Sequence, residues 1–435
     1  MSESAEVVLW GRRIGVVSLS DGQKSAGFEY DPSFVGAGIE PSPLAMPVAV
    51  RVYSFPALSE DTFHSLPGLL ADSLPDKFGS AVLDAWLLSR GRTIESLSPV
   101  ERLCYLGSRG MGALEYRPVL GDAEDSCEVI HVDALAALAS GILAARESGR
   151  AALSSGMNEY GAILKVGASA GGARAKAIIG WNERTGEVRS GQVKLPDGFG
   201  YWLMKFDGLS GNGDKDGDDP KGYGRIEYAY SLMAKAAGLE MAECRLWEGR
   251  HFMTRRFDRT ATGGKLHVQT LGALAHFDFN QPRQHSYEQA FRVTREVVND
   301  VRAEMELFRR MVFNVLAWNC DDHVKNISYV MDRSGAWSLA PAYDVTYSYN
   351  PGSKWLSGHQ MSVAGKNGGI GTDDLLATSR IAGIDVRQAR EIIDEVAAAV
   401  ERWREFADIA GVSEQQADAI AKQIASDSSG KGVVL

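Results

Sequence analysis

Cysteine is scarce in this sequence, with four residues among 435. They are widely separated, and no two have the Cys-x-x-Cys spacing of a structural zinc site: Cys104, Cys127, Cys244 and Cys320. The eight histidines likewise include no His-Glu-x-x-His pair. These absences argue against a disulfide-stapled scaffold and against a zinc enzyme, because both need closely spaced ligand or cystine residues.

Long apolar runs are also missing. The longest, at about 134–145, is interrupted by Ser140 and Gly141 and is too short to span a bilayer. The opening residues MSESAEVVLW lack the charged and apolar regions of a signal peptide. We therefore expect a soluble, cytoplasmic protein without membrane contact.

Positive charge is in the minority, with 46 Lys and Arg residues against 56 Asp and Glu residues, for a net charge of -10. Such a chain is a poor nonspecific ligand of nucleic acid, because that affinity comes from neutralising phosphates. Contact with DNA would need a local basic patch or a basic partner. The length and the 45% hydrophobic content predict two or more domains with substantial cores.

The patterns of apolar residues predict an α+β protein, with a β-rich N-terminal half and an α-helical C-terminal half. Residues 7–19 are typical of two strands joined by a tight turn at residues 11–13, and residues 48–54 of another strand. Helical periodicity appears at 76–90 and 132–147. Beyond about residue 260 the helical pattern dominates.

The strongest chemical signal is the run DDHVKN at 321–326, which follows an apolar helix and precedes a hairpin ending at Asp344. Phosphoryl transfer needs a carboxylate at the attacking hydroxyl and oxygen ligands for Mg²⁺. Asp321 and Asn326 are five positions apart, as in kinase catalytic loops. The spacing predicts Asp321 as the base, with Asn326 and Asp344 as Mg²⁺ ligands. Asp322 is an alternative base, although it lacks the five-residue offset.

Two upstream features fit the same chemistry. Lys205 lies within the apolar strand pattern of 201–206, where a kinase lysine contacts the nucleotide phosphates and is held by a helix glutamate, here Glu227. The run GASAGGARAK at 167–176 joins two predicted strands, as kinase glycine loops do. It is not a Walker loop, because Ala173 stands where the lysine should be.

The order of these segments resembles the HipA family of toxin kinases. The segments that carry the resemblance are VVLWGRRIGVVSLS, LPGLLADSLPDKFG, GASAGGARAK, YWLMKF, RIEYAYSLMAKAAGL, HFMTRRFDR, NCDDHVKNISYV and APAYDV. They cover nearly the whole chain in the order expected. The resemblance implies a two-lobed, kinase-like α+β fold, with a β-rich HipA-type subdomain at 1–125, a kinase N-lobe at 126–258 and a helical C-lobe at 259–435.

The resemblance also implies an ATP- and Mg²⁺-dependent serine/threonine-protein kinase that is the toxin of a type II toxin–antitoxin module. Asp321 would be the base, Asn326 and Asp344 would bind Mg²⁺, and Glu227 would orient the phosphate-contacting lysine. The residues implied to bind ATP are Gly171, Gly172, Ala173, Arg174, Ala175, Lys176, Lys205, Arg255, Arg256, Phe257, His323, Lys325 and Tyr343. Of these, residues 255–257 would be the hinge that touches adenine.

Regulation is implied as well, because Ser169 matches the autophosphorylated serine of the family. About two negative charges there would oppose the triphosphate and switch the kinase off. Arg174 departs from the best-known member, which carries glutamine at this place.

Family members pair with a HipB-like helix-turn-helix antitoxin and reach operator DNA through it, repressing their own operon. The best-studied relative phosphorylates an aminoacyl-tRNA synthetase and promotes growth arrest and drug persistence. The protein substrate of this chain is not readable from its sequence.

Two other functions are open. A small-molecule phosphotransferase shares the Asp-x-x-x-x-Asn arrangement, although the N-terminal resemblance argues against it. A catalytically silent corepressor is the second, and the intact set of Lys205, Asp321, Asn326 and Asp344 argues against that.

Overall fold

The computed structural model of the chain describes residues 3–120, 129–148, 174–209 and 221–428. Contacts within these residues divide them into two compact units that are interleaved along the sequence. Unit 1 takes in residues up to Lys221 together with Met253–Gln269 and Val330–Gly335. Unit 2 comprises Gly222–Phe252, Thr270–Tyr329 and the residues from Ala336 onward. Among the helices described, none combines the length and apolar character needed to cross a bilayer.

The strands are short and are concentrated before residue 260. In chain order they are β1 (Glu3–Leu9), β2 (Arg12–Leu19), β3 (Gly27–Tyr30), β4 (Val52–Tyr53), β5 (Leu114–Arg117), β6 (Lys176–Trp181), β7 (Val188–Ser190), β8 (Gly200–Lys205), β9 (Cys244–Trp247), β10 (His251–Arg255), β11 (His267–Thr270), β12 (His285–Ser286), β13 (Ser328–Met331), β14 (Trp337–Leu339) and β15 (Met361–Ser362).

The helices become longer toward the C-terminus. They are α1 (Glu60–Phe63), α2 (Gly68–Ala71), α3 (Lys77–Leu88), α4 (Pro99–Leu106), α5 (Val132–Ser148), α6 (Tyr223–Ala236), α7 (Leu271–Ala275), α8 (Tyr287–Val298), α9 (Val301–Leu316), α10 (Thr372–Ile381), α11 (Val386–Glu401), α12 (Trp403–Ala410) and α13 (Glu414–Ser428).

The N-terminal sheet has the strand order β4-β3-β2-β1-β5. Leu9 pairs with Arg12, so only Trp10 and Gly11 form the turn between β1 and β2. Both turn residues have positive φ, 51° and 83°, which is the type I′ geometry that matches strand twist. The indole of Trp10 donates to the carbonyl of Lys265 at 2.8 Å, which fixes this uncommon conformation.

A second five-stranded sheet has the order β7-β6-β8-β10-β9. Antiparallel pairing of β6 with β8 places Lys176 opposite Lys205. Because directly opposed residues share a face of the sheet, two cationic side chains project from the same side here. Two smaller sheets, β11-β13-β14 and β12-β15, complete the strand pairing among the described residues.

The core of unit 2 is built around α9. Asp300 caps the first turn by accepting from the Arg302 amide at 2.9 Å. The apolar residues of α9 recur at helical spacing and are fully buried: Leu307, Phe308, Met311, Val312 and Val315. This stripe confirms the predicted long helix and holds its C-terminal end firmly in the core.

The predicted elements are mostly confirmed in kind and differ in length. Helix α3 begins after Asp76 and ends before Gly91, whose φ is 73°, as the 76–90 pattern predicts. The strand predicted at 48–54 shrinks to Val52–Tyr53. Val50 is 65% exposed, and Pro56 cannot donate a ladder hydrogen bond, so pairing does not extend in either direction.

Residues 256–269, called the anchor segment, form hydrogen bonds with the N-terminal part of unit 1. The Lys265 ammonium donates to the Ser108 carbonyl at 2.8 Å and to Glu115 at 2.9 Å. His267 Nε2 donates to the Pro41 carbonyl at 2.9 Å. These hydrogen bonds attach residues that are far apart in sequence to one strand segment.

The centre of the anchor segment is a buried ion cluster around Asp258. Its carboxylate accepts two hydrogen bonds from the Arg256 guanidinium, at 2.8 and 2.6 Å, and one from Arg259 at 2.5 Å. The Gly112 amide donates to it at 2.8 Å. Burial raises the pKa of Asp258, but the two guanidinium charges outweigh burial and hold that pKa well below its usual range.

We expect Asp258→Ala to lower the free energy of unfolding by about 3–5 kcal/mol, because it leaves the buried Arg256 guanidinium without its counter-charge. Urea unfolding followed by circular dichroism measures this loss. Glu391→Ala is the control, since Glu391 and its partner Arg387 are 63% and 88% exposed and solvent screens that pair. Equal stability losses in the two variants would contradict the role given to Asp258.

We also expect a pH-dependent loss of stability from His267. Burial lowers the pKa of His267 to about 4, so the folded protein keeps the ring neutral while the unfolded chain protonates it near pH 6.5. The stabilisation is therefore complete above pH 6.5 and declines as the pH falls toward 4. Between pH 7 and 4 the unfolding free energy of the wild type falls by about 3 kcal/mol more than that of His267→Gln. Parallel pH profiles for the two proteins would contradict this assignment.

Candidate active site

Helix α9 leads directly into the segment that carries the predicted base. The Tyr230 hydroxyl donates to the Ala317 carbonyl at 2.7 Å, which satisfies one of the last carbonyls of the helix. Trp318 then adopts a left-handed conformation, with φ of 54°, and turns the chain out of the helix. Residues 319–326, called the 319–326 loop below, follow this turn.

The backbone of Asp321 is held from both sides. Its amide donates to Ser348 Oγ at 3.1 Å, and its carbonyl accepts from Asn326 Nδ2 at 2.8 Å. The Asn326 amide donates to the His323 carbonyl at 2.8 Å and closes the turn. The Asp321 side chain is 26% exposed, with its Oδ1 3.9 Å from His323 Nε2. A carboxylate on a fixed backbone beside solvent can receive a proton from a docked hydroxyl.

Asp322 has the opposite environment. Its side chain is fully buried, and both carboxylate oxygens accept hydrogen bonds within the protein. The donors are Tyr287 Oη at 2.8 Å, His359 Nδ1 at 3.0 Å and the Gln360 amide at 2.7 Å. Burial first, and then the Asp322 charge, raise the pKa of Tyr287 well above its usual value, so its hydroxyl remains a donor. Asp322 therefore does not reach an external hydroxyl.

Three other predicted residues of unit 2, His323, Lys325 and Tyr343, lie on the 319–326 loop or form hydrogen bonds with it. The ring of Phe279 lies 5.9 Å from that of His323, and the Lys325 ammonium sits 4.7 Å from the same Phe279 ring. The Tyr343 hydroxyl donates to the Lys325 carbonyl at 2.5 Å and lies 2.6 Å from Ser328 Oγ. The hydrogen bond to Lys325 attaches Tyr343, the residue before Asp344, to the 319–326 loop.

The predicted Mg²⁺ ligands offer oxygen atoms only. No group of three or more His, Cys, Asp and Glu side chains within the described ranges could hold a metal ion alone. Mg²⁺ at phosphoryl-transfer sites usually takes one or two protein oxygens and completes its shell with phosphates and water. Asn326 donates its Nδ2 to Asp321, so its Oδ1 is the atom left for a cation. The half-buried Asp344 carboxylate is an oxygen donor of the type that Mg²⁺ takes, and joint binding of the ion by Asn326 and Asp344 stays a prediction.

Two of the predicted ATP-binding residues are lysines of unit 1. Lys176 is 3% exposed and stands opposite the half-buried Lys205 in the sheet. The carbonyl of Ala175 accepts from the Phe206 amide at 3.0 Å, so the pairing continues past the lysines, and Arg174 next to it is half-buried. The remaining residues of the predicted glycine loop, Ser169, Gly171, Gly172 and Ala173, lie outside the described residues.

The predicted adenine-contacting segment divides by exposure. Arg255 is exposed and Phe257 half-buried, whereas the Arg256 side chain is 1% exposed and bound to Asp258. Contact between this segment and adenine stays a prediction, and it would use atoms other than the Arg256 guanidinium. Glu227, on α6 in unit 2, is 2% exposed, and its pairing with Lys205 also stays a prediction.

Sequence reasoning missed the residues that support the 319–326 loop, namely Tyr287, Ser348 and His359, as well as Phe279. They come from separate segments and have no fixed spacing from Asp321. The one local hint is the second aspartate at 321–322, because a buried carboxylate needs hydrogen-bond donors around it.

Comparisons with known proteins bear on the fold and the family of the chain. Residues 168–427 match the model of the HipA-like C-terminal domain, and residues 5–117 match that of the HipA N-terminal domain. HipA from the toxin–antitoxin complex of Shewanella oneidensis with HipB and operator DNA superposes with a TM-score of 0.67 at 16% identity, covering 97% of this chain and 95% of that one. The predicted two-lobed α+β fold of the HipA type is thereby confirmed.

Two curated relatives are named as kinases. One, Y4dM of Sinorhizobium fredii, is 24% identical over 226 residues, which are 47% of this chain and 51% of that protein. The other, from Haemophilus influenzae, is 30% identical over 101 residues, which are 21% of this chain and 29% of that protein. The chain thus spans about half the length of the first and less than a third of the second. Both HipA domain matches fall in the expected order and together cover most of the sequence, and the chain belongs to the HipA family.

Proposed function

We propose that this protein is a serine/threonine-protein kinase of the HipA type, the toxin of a type II toxin–antitoxin module. The observation that carries the proposal is the contrast between the two adjacent aspartates. Asp322 is buried and fully hydrogen-bonded, whereas Asp321 sits on a fixed backbone with its side chain 26% exposed. Asp321 is also the residue five positions before Asn326, the spacing of a kinase catalytic loop.

The proposed reaction transfers the γ-phosphoryl group of ATP to a serine or threonine hydroxyl. The hydroxyl oxygen forms a bond to the γ-phosphorus while the bond from that phosphorus to the bridging oxygen of ADP breaks. Asp321 would accept the hydroxyl proton, and Lys205 and Lys176 would offset the negative charge of the phosphates. Mg²⁺, held by Asn326 and Asp344, would neutralise charge on the phosphates.

Regulation and partners are part of the same proposal. Phosphate on Ser169 would switch the kinase off, because a dianion within a glycine loop repels the triphosphate. A HipB-like helix-turn-helix antitoxin would bind the chain and carry it to operator DNA. The presence of HipB and operator DNA in the solved Shewanella complex supports this partner. The net charge of -10 is consistent with DNA contact made mainly through the antitoxin.

Phosphopeptide mass spectrometry after incubation with ATP and Mg²⁺ tests the activity. The chain is first treated with a phosphatase, which is then removed. We expect phosphate to appear on Ser169 in the wild type, and the rate to fall about 10²–10⁴-fold in Asp321→Asn, because the amide cannot accept the hydroxyl proton. Asp394→Asn, on an exposed face of α11, is the matched control and should keep the wild-type rate.

The other outcomes distinguish the alternatives. Equal phosphorylation by Asp321→Asn would remove Asp321 from the role of base. A wild type that binds ATP but transfers nothing would favour a silent corepressor. Transfer to sugar acceptors and not to protein would favour a small-molecule phosphotransferase.

The metal assignment predicts a shift in Mg²⁺ dependence. Asp344→Asn should raise the Mg²⁺ concentration for half-maximal autophosphorylation by about tenfold or more, because it removes the only anionic ligand proposed for the ion. Asp332→Asn, at the tip of the β13–β14 hairpin, should leave that concentration unchanged. An unaltered Mg²⁺ titration for Asp344→Asn would show that the ion is held elsewhere.

A further inference from the structure

Beside the proposed base lies a carboxylate that the reaction does not use. Asp322 is fully buried and receives donors from two separate parts of unit 2, Tyr287 of α8 and the pair His359–Gln360. An ionised carboxylate is costly to bury unless its oxygens are well paired, so this site must retain its donors to remain folded as it is. Asp322 thereby holds the N-terminus of α8 and residues 359–360 to the 319–326 loop.

The segment that supplies His359 and Gln360 runs from 345 to 371, directly after the proposed metal ligand Asp344. It contains little regular structure, with β15 as its one described strand. A long irregular segment inside a compact unit usually serves a function. In protein kinases the segment after the metal-binding aspartate controls whether the site is assembled.

Residues 358–361, in the middle of the 345–371 segment, are nevertheless buried, and hydrogen bonds fix the chain around them. His359 and Asn367 exchange hydrogen bonds, from the His359 amide at 2.7 Å and from Asn367 Nδ2 at 2.9 Å. The Ala364 amide donates to Glu288 at 2.8 Å. The contacts of His359 and Gln360 with Asp322 connect this part of the segment to the 319–326 loop.

A second connection reaches the base itself. Ser348, at the start of the same segment, accepts from the Asp321 amide at 3.1 Å and donates to Asn319 at 2.8 Å. The hydrogen bonds continue from Asn319 to Asn314 at 2.9 Å, from Asn314 to Tyr287 at 3.0 Å and from Tyr287 back to Asp322. This series of hydrogen bonds runs from the Asp321 amide to the Asp322 carboxylate, and hydrogen bonds connected in series polarise and strengthen one another.

We propose that Asp322 is a positioning residue that locks the 345–371 segment to the 319–326 loop and so fixes Asp321 for phosphoryl transfer. The catalytic part of this inference rests on the proposed kinase function. Some kinases order this segment by adding a phosphate group, whose negative charge pairs with nearby side chains. In this protein the Asp322 carboxylate would order the segment without any modification. Asp322 contributes no atom of its own to the proposed phosphate or metal contacts, so we expect its loss to act on kcat through the position of Asp321.

The test compares Asp322→Ala with Asp322→Asn and a control. Hydrogen exchange, measured by mass spectrometry without nucleotide, reports the lock independently of any activity. We expect exchange of peptides within 357–364 to rise about tenfold or more in Asp322→Ala, since the Gln360 amide loses its acceptor. Asp322→Asn keeps one carbonyl oxygen for that amide and should be intermediate, which also covers the case that the alanine variant does not fold.

Glu304→Ala is the matched control, since Glu304 is another buried carboxylate of unit 2 and forms its ion pair with Arg295, outside the segment. It should leave exchange at 357–364 unchanged. Kinetics then separate positioning from folding: kcat for autophosphorylation should fall about 10–100-fold in Asp322→Ala while KM for ATP stays within about twofold.

Each result decides a part of the proposal. Wild-type exchange at 357–364 in Asp322→Ala would overturn the lock. Faster exchange with an unchanged kcat, or a KM for ATP that rises as kcat falls, would overturn the positioning role. A wild type without kinase activity would overturn the proposed function and the catalytic part with it, while the exchange data would still decide the lock.

Discussion

A carboxylate carried into the interior must be paired with donors or cations, and this constraint organises both units of the protein. In unit 1 Asp258 gathers two guanidinium groups and the Gly112 amide, which attaches residues 256–269 to the N-terminal part. In unit 2 Asp322 gathers a hydroxyl, an imidazole and an amide. A buried carboxylate without donors would cost several kcal/mol of stability. Few arrangements of the surrounding segments supply those donors, so each carboxylate restricts the positions that these segments can take.

Neighbouring residues with similar side chains have different parts in this protein because of burial. Asp321 and Asp322 are adjacent, yet one is 26% exposed and the other has no exposed side-chain surface. Arg255 and Arg256 differ in the same way, since Arg255 is exposed and Arg256 is enclosed by its pairing with Asp258. In each pair the exposed member is the one suited to contact a ligand, while the buried member holds the backbone that presents it.

Much of the fold could be predicted from the sequence because its signals are local. The helical spacing of Phe308, Met311 and Val315 marks α9. The apolar runs within 7–19 mark β1 and β2, although the turn between them lies at Trp10 and Gly11 and not at the predicted residues 11–13. The five-residue interval from Asp321 to Asn326 is local too, and the hydrogen bond from Asn326 Nδ2 to the Asp321 carbonyl gives it a physical reason. The residues that hold this loop in place were not predictable. Tyr287 and His359 contact Asp322 only in the folded protein, and no spacing pattern in the sequence indicates those contacts.

The interleaving of the two units bears on how the chain assembles during synthesis. Unit 1 includes Met253–Gln269 and Val330–Gly335, and it is the first of these stretches that carries Asp258 and His267. Until it leaves the ribosome, the carbonyl of Pro41 and the amide of Gly112 lack the partners they have in the finished protein. Domains generally fold as units in order of synthesis. Here unit 1 reaches its final form only after much of unit 2 has also been made, so nascent chains carry neither unit complete for most of translation.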